Sequence, residues 1–96
     1  MTGFLIAVGV PWYRKADYRQ ILAIMADAHR LPVSYQAWAK KAERLEAEQT
    51  ALGRRVVRAI IDPQTFPAWC ARAGQNVDAQ GRSAFAHEAA QREGRH

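Results

Sequence analysis

The chain has 96 residues and a single cysteine, Cys70, so no intrachain disulfide can brace it. That suits a reducing compartment. Metal chemistry is also poorly supplied. The histidines are His29, His87 and His96, and no pair of His or Cys falls at i+3 or i+4, the spacing that sets ligands on one helix face. Glycine is scattered, and neither the dinucleotide nor the P-loop pattern occurs, so no phosphate cradle is marked. Phe4–Val10 is an apolar run far too short to span a bilayer. No basic residue precedes it, and it is too short for a signal-peptide core with a cleavage site. The expectation is a cytoplasmic protein with no membrane partner. Asp17, Asp27, Asp62 and Asp78 show no spacing that pairs them for acid–base work. No catalytic, cofactor-binding or metal residues are expected, and enzyme is the least supported class.

What is present describes an ordinary globular chain. Apolar residues make up 49% and charged residues 24%, which excludes disorder of the whole. The length suits a single domain, read as 1–92 with a frayed tail at 93–96. Fourteen Lys and Arg against nine Asp and Glu give +5. That balance admits an acidic partner. It also serves solubility alone.

The run over 3–10 predicts a short buried strand, with Pro11 ending it for want of an N–H. A helix is expected over 14–28, where Tyr18, Ile21, Leu22, Met25 and Ala28 share one face. Trp12 and Tyr13 would lid the core. The clearest helix spans 35–52. Ser34 caps it, and Tyr35, Trp38, Ala42, Leu45, Gln49 and Leu52 form its stripe. Lys40–Glu43 and Arg44–Glu48 can pair on the other face, and Gly53 ends it.

Arg55-Val-Val-Arg-Ala-Ile-Ile61 predicts a second strand whose two apolar faces both ask for cover. Pro67 argues against a helix starting at Pro63. The better reading is a turn at 62–64, Thr65 as cap, and a helix over 66–73 ended by Gly74. A last helix over 79–92 has Asp78 as cap, a thin apolar face at Phe85, Ala86, Ala89 and Ala90, and a first turn weakened by Gly81.

The order β-α-α-β-α-α predicts an α+β, mostly helical domain: four helices on a small two-stranded sheet. The long crossover favours parallel strands. So small a sheet leaves edges that a homodimer would complete. The expected partner or dimer interface is Val57, Ala59, Ile61, Trp12 and Trp69. Cys70 sits on the apolar stripe of its helix with no histidine at a telling distance, so it reads as a small core residue.

The strand–helix–helix order of 55–92 resembles ribbon-helix-helix repressors in element order alone. That resemblance implies a nucleic-acid-binding regulator whose paired strands read base edges. Neither alternate set here, Val57/Ala59/Ile61 or Val56/Arg58/Ile60, offers more than one polar group for that task. Arg54, Arg55 and Arg58 remain as candidate anion contacts. Gly9-Val-Pro-Trp-Tyr-Arg14, Asp17-Tyr18 and Ile61-Asp-Pro-Gln-Thr-Phe-Pro-Ala-Trp-Cys70 resemble short uncharacterised bacterial proteins of about this length. That second resemblance would span 9–90 and implies no activity. The expected function is protein binding or regulation through protein–protein contact as a homodimer, with nucleic-acid binding as the alternative.

Overall fold

The computed structural model describes residues 6–93. The fold is α+β and mostly helical. Its strands are β1 (Ala7–Trp12) and β2 (Arg55–Ile60); its helices are α1 (Tyr18–Ile24), α2 (Tyr35–Ala51), α3 (Phe66–Ala73) and α4 (Ala79–Glu93). Short 3-10 turns at Lys15–Asp17 and Ala28–Arg30 flank α1. The strands pair in parallel, with Ala7 opposite Arg55 and Trp12 opposite Ile60.

Pro11 does not end β1; it lies within it, opposite Ala59. The ladder shows why. Arg55 N donates to Ile6 O and Ile61 N to Trp12 O, both at 2.9 Å. The even residues of β1 therefore face β2, and the odd ones, Pro11 among them, face the open edge. A proline is harmless where its missing N–H would have pointed to solvent. The expected start of this strand, residues 3–5, lies outside the described residues.

The two sheet faces are covered from within the chain. On the even face Trp12 meets Trp38 of α2 edge-to-face at 5.2 Å. Trp38 also contacts Tyr13 at 4.7 Å and Tyr35 at 5.4 Å. Each such pair adds roughly 0.5–1.5 kcal/mol beyond its area. On the odd face α4 lies so close that a Cβ on Gly9 would sit 1.9 Å from Ala86 O. Phe66 and Trp69 of α3 meet Phe85 of α4 at 5.6 and 5.2 Å, a second aromatic group that joins those helices.

The expected helix over 14–28 is shorter. Ala26 N donates to Val77 O at 2.8 Å, and a helix would have needed that N–H for Leu22. Helix α2 matches its reading: Ser34 Oγ accepts from Ala37 N. Its charged face differs. Among the described residues the ion pair that α2 makes is Glu46 with Arg58 of β2, not the local pairs expected. Its apolar stripe is only half used, since Leu45 and Leu52 stay exposed.

Helix α3 begins at Phe66, but Thr65 makes no side-chain cap. Asp62 does that work: its Oδ1 accepts from Gln64 N and its carbonyl from Phe66 N, each at 2.9 Å. Pro67 falls in the first turn, where no N–H is needed. Asp78 caps α4 as read, accepting from Gly81 N at 3.1 Å. Gly81 is not a weak point. A Cβ there would lie 2.1 Å from Asn76 O, so the α3–α4 connection requires glycine. Glu93, read as the start of the tail, is helical and bonds Arg55.

Candidate functional site: a strand edge and an apolar cleft

The residues expected at an interface are placed very differently from one another. Trp12, Ala59 and Ile61 are buried, at 7%, 3% and 0% exposure. Val57 and Trp69 are half-buried. Trp12, Ala59 and Ile61 are covered within the chain and leave little surface for a partner, whereas Val57 and Trp69 keep some. The sequence counted α4 as thin, whereas the Gly9–Ala86 approach lets its small residues cover the odd face.

What stays open is the edge of β2. Its odd residues bond to β1, so the N–H and C=O groups of Val56, Arg58 and Ile60 point outward. No backbone partner meets them among the described residues. Ile60 is 41% exposed beside them. Arg58 is bent away from the edge. Its Nε and Nη2 each donate to a Glu46 carboxylate oxygen at 2.7 Å, and its guanidinium lies 4.0 Å over the Trp12 ring. The hydrogen bonds from Arg58 hold the Glu46 carboxyl below its ordinary range.

The expected anion contacts are engaged one by one. Arg55 bonds Glu93, Arg58 bonds Glu46, and Arg54 Nη1 donates to Gln49 Oε1 at 2.7 Å. Two of the three are thus paired with carboxylates, while Arg54 keeps its charge against a neutral amide.

On the opposite side of the sheet, beside β1, lies a cleft of about 240 Å³. Val10 and Pro11 form its floor; Trp38, Ala42 and Leu45 of α2 and Leu31 form its walls. Tyr13, Lys41 and Arg82 are its polar members. Arg82 is the buried charge that sequence reasoning missed. Its Nη1 and Nη2 donate to Asp27 Oδ1 and Oδ2 at 2.7 and 2.9 Å, and Nη1 also approaches Met25 Sδ at 3.3 Å. An arginine in the first turns of a polar-looking helix gave no signal; only the fold brings Asp27 to it across 55 residues.

Cys70 is 1% exposed, and burial raises its thiol pKa. It should react with a thiol probe such as Ellman's reagent only as the chain unfolds. A rapid stoichiometric reaction in the native protein would contradict that. His29 and His87 are exposed and stand apart from it. Among the described residues no three His, Cys, Asp or Glu gather to hold a metal, and no helix is long and apolar enough to cross a membrane. Comparison with protein-family models, curated proteins and solved structures returned no match.

Proposed function

We propose that this chain is a protein-binding or regulatory domain that works as a homodimer, joined through the outer edge of β2. The observation that supports it is the row of outward backbone groups at Val56, Arg58 and Ile60, with Ile60 exposed beside them. Unpaired strand edges recognise other strands. A second copy fits this edge by register. In an antiparallel pair centred on Arg58, Val56 of each copy lies opposite Ile60 of the other, on one face. Two β-branched cross-strand pairs would then flank the dyad.

Like charges face each other at the centre of that arrangement, which ordinarily weakens a pair. Here Glu46 holds each Arg58 aside and neutralises it. The expected result is a sedimentation mass of twice the 10.8 kDa chain at tens of micromolar (~50 µM, within the weak-interface regime). Ile60→Lys should return single chains, since an edge lysine blocks strand addition. Glu46→Gln should weaken the dimer in a salt-dependent way. A mass of one chain at every concentration, or an Ile60→Lys variant that dimerises like the parent, would overturn the reading.

A further inference from the structure

The cleft beside β1 has the features of a ligand site rather than of a packing gap. Tyr13 is 2% exposed, yet its hydroxyl makes no hydrogen bond to any described residue. No side-chain oxygen or nitrogen among the described residues is both buried and unpartnered. The hydroxyl is therefore not sealed off among the described residues, and Tyr13 lines the cleft. Burial pushes its pKa up to about 12, so at neutral pH it stays an O–H and offers a proton to an acceptor.

The other polar members have the same sense. Lys41 stands at the rim on exposed helix surface and makes no ion pair among the described residues. A guanidinium has five N–H groups. Asp27 and Met25 engage three of those on Arg82, leaving Nε–H and one on Nη2. Among the described residues no carboxylate lines the cleft, and Asp27, whose charge reaches Tyr13, is held by Arg82. The remaining described lining is aromatic and aliphatic: Val10, Pro11, Leu31, Trp38, Ala42 and Leu45. Its volume is about eight times the ~30 Å³ that a water takes in the liquid. That is room for a single ring with a short acid arm.

The geometry points to a binding site for a small organic carboxylate, its apolar part against Trp38 and its acid group taking the Tyr13 hydrogen and facing Lys41. The site lies by β1, across the sheet from the β2 edge, so it stands or falls independently of dimerisation. Phenylacetate is a suitable probe, and phenylacetamide is its uncharged control. The Trp38 indole N–H resonance reports occupancy. Phenylacetate should shift it with a dissociation constant near or below ~1 mM, about 10-fold tighter than the amide. Tyr13→Phe removes one donor and should weaken the acid about 10-fold. That phenyl ring keeps the packing, and an unchanged melting temperature would confirm it. Lys41→Gln sits on exposed surface and cannot unfold the chain. It should remove most of the preference of acid over amide. Equal binding of acid and amide, no shift of Trp38 up to ~10 mM, or parent-like binding by both variants would overturn the assignment.

Discussion

Gly9→Ala should be among the most damaging single-methyl substitutions in this chain, lowering stability by about 3 kcal/mol. The added Cβ would stand 1.9 Å from Ala86 O and 2.5 Å from Ala86 C. Both are backbone atoms, so no rotamer change can make room. Helix α4 would have to lift from β1, and with it would go the packing of Ala86 and Ala90, which are 1% and 5% exposed. A domain of this size has only about 5–15 kcal/mol to lose. Gly53→Ala is the control. Gly53 has φ +82 and nothing within 4 Å of its Cβ position, so only left-handed strain is added, about 1 kcal/mol. Urea denaturation should show the midpoint falling much further for Gly9→Ala at an unchanged slope. Equal losses at the two glycines would mean that the α4–β1 approach relaxes freely.

The same approach marks the boundary between what the sequence discloses and what it cannot. Local signals carried the element order. Ser34 and Asp78 cap the helices they were read to cap, and Gly53 and Gly74 take positive φ where helices end. A β-branched apolar run located β2, and 3.6-residue apolar periodicity located α2 and α3. Errors came wherever a distant segment decides a local outcome. Helix α1 stops early because Val77 claims the Ala26 N–H. Pro11 stays in its strand because of which edge it faces, a fact of register that one strand does not contain. Gly81 reads as a flaw until Asn76 is seen against it. The burial of Trp12, Ala59 and Ile61 has a related cause. An apolar run says that a face will be covered, and is silent on whether the cover is the chain's own α4 or another copy. The cleft was the least legible feature. Its Tyr13, Lys41 and Arg82 come from a strand end and two helices, with no common spacing.

Asp27→Ala should cost about 3 kcal/mol, because it leaves a guanidinium buried without its carboxylate. The side chains of Arg82 and Asp27 are only 9% and 15% exposed, so water does little to replace the lost partner. The bidentate fork also ties the turn after α1 to α4, which is where the continuous helix expected over 14–28 gives way. Removing both charges together, as Asp27→Leu with Arg82→Met, should recover most of the loss, since well-packed apolar pairs often match buried ion pairs. The pH dependence has a definite sign. The hydrogen bonds from Arg82 hold the Asp27 carboxyl below its ordinary range. A carboxyl depressed in the folded state binds its proton more readily in the unfolded chain, where its pKa is about 3.9. The pair's contribution is therefore fully present above roughly pH 5 and fades as pH falls below about 4, through the folded-state value. The stability gap between the parent and Asp27→Ala should be flat from pH 5 to pH 8 and narrow steadily toward pH 3 (approximate bounds set by that linkage). A gap that stays constant down to about pH 3, or a cost for Asp27→Ala under about 1 kcal/mol, would mean that the fork is a surface pair and not a buried tie between α1 and α4.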